Sequence, residues 1–246
     1  MASPRFFSLQ ELPRPLAAGT ALEVGEEITR HLQVLRLDTA DRIVLFDGRG
    51  GEYRAEIVEL AKRRTNLRLL GFDAVERESP LTITLVQALA TSDKMDLIVQ
   101  KAVELGVTTV RPVSSERATL KLSAERAEKR AAHWQAIARA ACEQCGRNRV
   151  PVVAEPVGLP EWLASVDEGA RLMLHPDAPK SLLDTVGRQT TISLLIGPEG
   201  GFSEREQALA AQHGVAAARF GPRVLRTETA GLAAVAALNA VAGDLR

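Results

Sequence analysis

The chain has 246 residues, 46% hydrophobic and 25% charged, with 31 basic and 31 acidic side chains and no net charge. This balance excludes a disordered chain and a uniformly basic nucleic-acid binder, and leaves room for one large globular domain or two modest ones. No apolar run approaches the roughly 20 residues of a membrane span, and the opening MASPRFFSLQELPRP lacks the apolar core of a signal peptide, so a cytoplasmic location is expected.

Residues 1–73 read as a small β-rich module. Residues 42–46 form a strand, DGRGG at 47–51 supplies hairpin chemistry, and 52–59 and 66–72 are further strands. A short helix at 26–35 interrupts them. After the polar link ERESP at 76–80 the pattern changes. Strands are expected at 81–89, 107–113, 150–154, 171–175, 191–196 and 217–220. Between them lie helices. The first follows a cap at 91–93, places Met95, Ile98, Ala102 and Leu105 on one face, and is closed by Gly106. The others occupy 123–146, 159–166, a stretch from 204 onward, and 230–242. The alternation predicts an α/β domain over 74–246, with a mostly parallel sheet covered by helices.

Cys142 and Cys145 form a single C-x-x-C. With no second pair, and with His31, His133, His175 and His213 scattered, they read as two small residues one helical turn apart, and no metal site is expected. Charge is unevenly placed. Between 111 and 149 the basic residues are Arg111, Arg117, Lys121, Arg126, Lys129, Arg130, Arg139, Arg147 and Arg149, against Glu116, Glu125, Glu128 and Glu143. A local basic stretch on a neutral chain suits phosphate contact, and equally suits a solvated helix face.

Two stretches near the end carry the strongest signal. In LLIGPEGGFSERE, residues 194–206, an apolar run stops at Gly197-Pro198. Gly200 and Gly201 then allow a ligand to approach bare backbone, and Ser203 with Glu206 forms a capping box that starts a helix. In GPRVLRTETAG, residues 221–231, a second turn carries an apolar lip at Val224-Leu225 before Thr227-Glu228-Thr229 opens another helix. There is no Lys-Ser/Thr after the glycines and no G-x-G-x-x-G, and Glu199 would repel a phosphate. The first loop is therefore either a tight structural turn or a grip for an uncharged or cationic small molecule. The final helix is almost free of charge, so it must be buried in the core or against another subunit.

IGPEGGFSEREQ followed by GPRVLRTETAGLAA resembles the paired signature of the SPOUT methyltransferases, specifically the RsmE type that methylates a uridine at ring nitrogen 3 in small-subunit ribosomal RNA. SDKMDLIVQKAVELGV, RPVSSERA, ACEQCGRNRVP and HLQVLR extend the resemblance over nearly the whole chain. It implies a PUA-like RNA-binding β-barrel over 1–73 and a SPOUT domain over 74–246 whose sheet ends in a trefoil knot. It also implies S-adenosylmethionine in the knot loops and a homodimer working on ribosomal RNA. The cofactor residues it implies are Leu174, His175, Leu195, Ile196, Gly197, Pro198, Glu199, Gly200, Gly201, Gly221, Val224, Leu225, Arg226, Thr229 and Ala230. The implied RNA contacts are Arg30, His31, Arg36, Lys94, Arg117, Gln144, Arg147 and Arg149. Methylation of a ribose 2′-hydroxyl, or a non-catalytic role in RNA binding or ribosome assembly, stays open as an alternative.

The uridine imide is a poor nucleophile while protonated, so loss of its proton before or during transfer should help. Arg226, in a glycine-flanked turn beside the apolar lip, is the candidate for stabilising a developing enolate oxygen. Glu143 and Glu228 are candidates to take the proton, and each is also explained as an ordinary helix residue. No metal is required.

Overall fold

The computed structural model describes residues 3–14, 19–118, 120, 123–165 and 168–245. Lys121 of the basic stretch and Val166, the expected end of a helix, lie outside them. The chain divides into two units, Met1–Arg77 with Cys142–Val150, and Glu78–Ala141 with Pro151–Arg246.

The first unit contains β1 (Arg5–Phe7), β2 (Ala21–Val24), α1 (Glu26–Val34), β3 (Arg42–Phe46), β4 (Glu52–Leu60) and β5 (Thr65–Asp73). Its sheet runs β1-β3-β4-β5-β2, with β1 parallel to β3 and the other pairs antiparallel. Alternation along β4 and β5 turns Tyr53, Ala55, Ile57, Leu67 and Leu69 inward, where Ile43, Leu45 and Leu32 of α1 complete the core.

The DGRGG turn is held by Asp47, whose side chain is 1% exposed and pairs with Arg49 at 2.6 Å and Arg14 at 3.1 Å. Burial alone would raise this carboxyl. Hydrogen bonds from the Arg49 side chain and from the Leu12 and Arg49 amides, with the Arg14 charge, outweigh it and hold the group below its ordinary value of 3.8. A depressed carboxyl gives stability that is present above the unfolded-state value and lost as pH falls through the folded-state value. Asp47→Asn is therefore expected to lower stability at pH 7 and to flatten its decline below about pH 4. Chemical denaturation across that range checks both effects.

Cys142–Val150 joins this unit through its hydrogen bonds. The Phe7 amide donates to Glu143 Oε1 at 2.8 Å, Asn148 Nδ2 donates to the Val75 carbonyl at 2.8 Å, and Arg77 donates to the Gly146 carbonyl at 2.8 Å. Arg5 reaches Asn148 Oδ1 at 2.6 Å and also pairs with Glu52. The sequence reading assigned this segment to the later domain; its polar side chains finish the earlier one.

The second unit contains β6 (Thr82–Ala88), α2 (Ser92–Glu104), β7 (Thr109–Ser114), β8 (Val152–Val153), β9 (Val157–Gly158), α4 (Leu159–Ala164), β10 (Ala170–Leu174), α5 (Leu182–Val186), β11 (Thr191–Ile196), α6 (Glu204–Gln212), β12 (Ala216–Ala218) and α7 (Thr227–Ala242). The long helix α3 (Ala124–Cys145) begins here and ends in the first unit. Seven strands run β12-β10-β11-β6-β7-β8, with β9 also on β7, and every pair is parallel. Ile83, Leu85, Val86 and Ala88 of β6 are fully buried, as expected for a strand covered on both faces.

Helix α7 lies directly on this sheet. A Cβ at Gly231 would come within 3.1 Å of Leu85 Cδ1 and 3.2 Å of Ile196 Cγ1, so glycine allows this close approach without displacing either side chain. Farther along, fully buried Asn239 donates to the Leu105 carbonyl at 2.8 Å and accepts from Ser79 Oγ at 2.5 Å. Val235 and Leu238 face inward. Ala233, Ala236 and Ala237 are half-buried, and Ala240 and Val241 are exposed. Among the described residues, no helix is long and apolar enough to cross a membrane.

Candidate active site

The loops that follow β10, β11 and β12, three neighbours in the sheet, meet the first turns of α7 around a pocket of about 420 Å³. Carboxyl ends of parallel strands are where open α/β sheets leave room for ligands, and this volume suits a small molecule. Leu174 and His175 come from the end of β10. Ile196 ends β11 and Gly197, Pro198, Glu199 and Gly201 follow it, while Gly221, Val224, Leu225 and Arg226 lead into α7, whose first turn supplies Ala230.

Lys94, Pro176, Phe220, Arg223 and Thr227 also line the pocket. Four of these stand next to residues the motifs singled out, so simple adjacency was the signal for them. Lys94, which the resemblance implies as an RNA contact, arrives from α2 to line the pocket. Leu195 packs in the core with Val86 and Met173, Gly200 faces Arg117, and the Thr229 amide bonds back to the Arg226 carbonyl at 2.9 Å. Those three are not among the described lining residues.

A hydrogen-bond frame fixes the loops. Gly201, at φ 66°, donates its amide to the Pro198 carbonyl at 2.9 Å and closes a tight turn. The Ser203–Glu206 capping box is formed, and Glu206 Oε1 also accepts from the Glu116 amide at 2.8 Å. Arg117 donates to the Gly200 carbonyl at 3.0 Å. Buried Gln87 donates to Thr227 Oγ1 at 2.9 Å, and that hydroxyl donates to the Gly197 carbonyl at 2.6 Å. Thr227 thus stitches the two glycine loops together.

The charges are as ordered as the backbone. Lys94 Nζ lies 2.9 Å from Glu199 Oε1 and 3.3 Å from Glu228 Oε2. The hydrogen bond that Lys94 donates to Glu199 outweighs desolvation and, with Glu228, holds the ammonium above its usual range. Arg226 is the N-cap residue of α7, and its guanidinium is exposed at the pocket wall with no ion pair or hydrogen bond among the described residues.

Residues 77–239 match the RNA methyltransferase domain family, and residues 24–70 match the RNA methyltransferase PUA domain family. A ribosomal RNA small subunit methyltransferase E from Neisseria gonorrhoeae, solved bound to S-adenosyl methionine, is 41% identical, with 100% of both chains covered and a TM-score of 0.92. A Legionella pneumophila methyltransferase, solved in complex with bound S-adenosylmethionine, is 37% identical over 100% of both chains with a TM-score of 0.93. The ribosomal RNA small subunit methyltransferase E of Buchnera aphidicola is 32% identical over 94% of each chain. The chain belongs to the ribosomal RNA small subunit methyltransferase E family.

Membership in the methyltransferase E family identifies the architecture as a SPOUT-type α/β fold preceded by a PUA-like β unit. The remaining expected site residues lie outside the pocket wall. Arg30 pairs with Glu26 at 3.4 Å, both well exposed, and the His31 ring packs near Phe6. Arg36 is exposed at φ 56°, an uncommon conformation for a residue with a Cβ. Gln144 and Arg149 are exposed, Arg149 lying 3.5 Å from Glu76. Arg147 differs: it is only 4% exposed.

Glu143 is half-buried in the first unit, and burial pushes its carboxyl above the usual range although the Phe7 amide bonds to the charged form. A raised folded-state value means the ionised group costs stability at neutral pH, a cost relieved as pH falls. Glu143→Gln keeps an oxygen for the Phe7 amide. It is expected to match or exceed the parent protein in thermal stability at pH 7 and to retain methyl transfer. Loss of a general base would instead cost roughly 10²- to 10⁴-fold in rate.

Proposed function

We propose that this protein is an S-adenosylmethionine-dependent methyltransferase acting on N3 of a uridine in small-subunit ribosomal RNA, in the cytoplasm. The observation that carries the reading is the pocket at the ends of β10, β11 and β12, walled by the two glycine loops. Its chemistry fits the cofactor. Apolar Leu174, Ile196, Val224 and Leu225 suit a purine, the backbone turns offer hydrogen bonds, and the Glu199 carboxylate suits a cationic ligand better than a phosphate. S-adenosylmethionine, when bound, supplies a methyl already activated on a sulfonium. The chain's residues then align the acceptor and stabilise charge. Arg226, exposed and unpaired at the wall, is placed to stabilise enolate charge on the base. Glu228, next to Thr227 of the wall, and Glu143 are the candidates to accept the imide proton; Glu228 pairs with Lys94, and Glu143 accepts from the Phe7 amide.

In this reading residues 1–73 supply the RNA-binding module and 74–246 the SPOUT domain, its last strands forming a trefoil knot. The charge-free outer face of α7 meets a second copy in a homodimer. Isothermal titration with S-adenosylmethionine tests the cofactor, and mapping the product nucleoside separates N3 from ribose methylation. Absence of binding in a folded protein would leave a non-catalytic RNA-binding role.

Exposed Arg30, Arg36, Arg117, Gln144 and Arg149 are the proposed RNA contacts. Arg36→Glu with Arg149→Glu is expected to weaken RNA binding and to flatten its salt dependence by roughly 0.7–0.9 in log–log slope per lost phosphate contact, with cofactor affinity unchanged. Arg117→Glu should disturb both ligands, because the same guanidinium holds the Gly200 carbonyl. An unchanged slope in the double variant would mark these residues as solvated surface.

A further inference from the structure

Lys94 is the wall residue that comes from a separate part of the chain. It sits in the first turn of α2, where a cation opposes the helix dipole, so its position asks for a compensating interaction. Two carboxylates provide one. Glu199 belongs to the loop after β11 and Glu228 to the first turn of α7, the same two segments that bound the pocket. Side-chain exposures of 25% for Lys94, 31% for Glu199 and 18% for Glu228 make this a partly desolvated network, unlike an isolated surface pair, which contributes little. Glu228 Oε2 is buried without a hydrogen bond, and the Lys94 ammonium is its ion-pair partner.

We propose that Lys94 is a positioning residue of the cofactor pocket: its ammonium ties the β11–α6 loop to the start of α7 through Glu199 and Glu228, and so sets the pocket's width. Without it, the loop and the helix lose the cation that joins them, and Glu228 Oε2 loses its ion-pair partner. The glycine loop and the N-terminus of α7 then separate more readily, held among the described residues by the Thr227 hydroxyl on the Gly197 carbonyl. This inference rests on the pocket being the S-adenosylmethionine site, and it moves Lys94 from the RNA contacts to the cofactor wall.

The test is titration of S-adenosylmethionine into the full-length parent, Lys94→Met, Lys94→Arg and Lys94→Met/Glu228→Gln, beside RNA affinity and thermal unfolding. Lys94→Met should weaken cofactor binding by roughly tenfold or more, since removing the cation strands the buried Glu228 oxygen and unties the loop from the helix, and should leave RNA affinity unchanged. Lys94→Arg should restore most of the loss, and the double variant part of it, by removing the carboxylate that Lys94→Met leaves without its cation. Parent binding should weaken as salt screens the network, while Lys94→Met should be less salt-sensitive. Should Lys94→Met fail to fold, Glu228→Gln carries the test, because it releases one wall and is expected to weaken binding partially. A parent protein that does not bind the cofactor sinks the functional reading. A parent that binds, with Lys94→Met or, if that does not fold, Glu228→Gln binding equally well, overturns this inference alone. So does loss confined to RNA affinity.

Discussion

Gly201→Val is expected to abolish measurable S-adenosylmethionine binding in a protein that still unfolds cooperatively. Two effects combine. At φ 66° a β-branched residue is strained by about 1–2 kcal/mol, and the turn closed by the Gly201 amide on the Pro198 carbonyl must distort or hold that strain. A Cβ at this position meets no atom within 4 Å, so the branched side chain extends into the open space that Gly201 lines. Filling the ligand's path should weaken binding at least a hundredfold, about 3 kcal/mol. Gly200→Val should do less. Its Cβ would sit at an ordinary 3.4 Å from Arg117 Cβ, outside the described pocket wall. Calorimetry on both variants, with Gly201→Ala as a graded control, orders the two positions. Equal affinity in Gly201→Val and the parent would remove this loop from the site.

Ala236→Glu is expected to separate the proposed homodimer and stop methyl transfer together. Ala236 lies on the outer side of α7 with Ala233, Ala237, Ala240 and Val241, the last 57% exposed, while Val235 and Asn239 are spent on the interior. In a lone chain a glutamate at this half-buried position reaches water, so the fold should survive. Against a second copy the carboxylate is desolvated without a partner, a cost on the order of 3 kcal/mol or more. Light scattering should then report a monomer, and a tritiated-methyl assay on small ribosomal subunits should report loss of product. Helix α7 begins at the pocket wall, so the two losses are linked. A fully active monomer would show that the outer face is solvent-facing packing and that one chain completes the site.

What the sequence makes legible here is whatever repeats or is written contiguously. The strand expected at 191–196 is Thr191–Ile196, the capping box at Ser203 and Glu206 forms, and the long helix expected over 123–146 is Ala124–Cys145. Each spans enough residues for a period or a capping pattern to register. Strands β1 and β2 and helix α5 are too short to carry one, and β1 owes its existence to parallel pairing with β3. The strand expected at 217–220 lies at Ala216–Ala218, because its pairing with β10 ends before the loop that reaches the pocket. The same limit governs the site. The glycine loops are contiguous and stood out, whereas Lys94 meets Glu199 across 105 positions of sequence. Arg147 has the residue type of a phosphate contact, and nothing local betrays that it is buried.

The return of Cys142–Val150 to the first unit means that the amino-terminal β unit is no detachable cartridge. Cut out at residue 73, it would lose the carboxylate that receives the Phe7 amide and the amide side chain that receives Arg5. During synthesis it stays incomplete until residue 150 has left the ribosome, by which time β6, β7 and α3 of the second unit have already emerged. The two units are therefore expected to be inherited together, and a shift in the register of α3 would be felt by both at once.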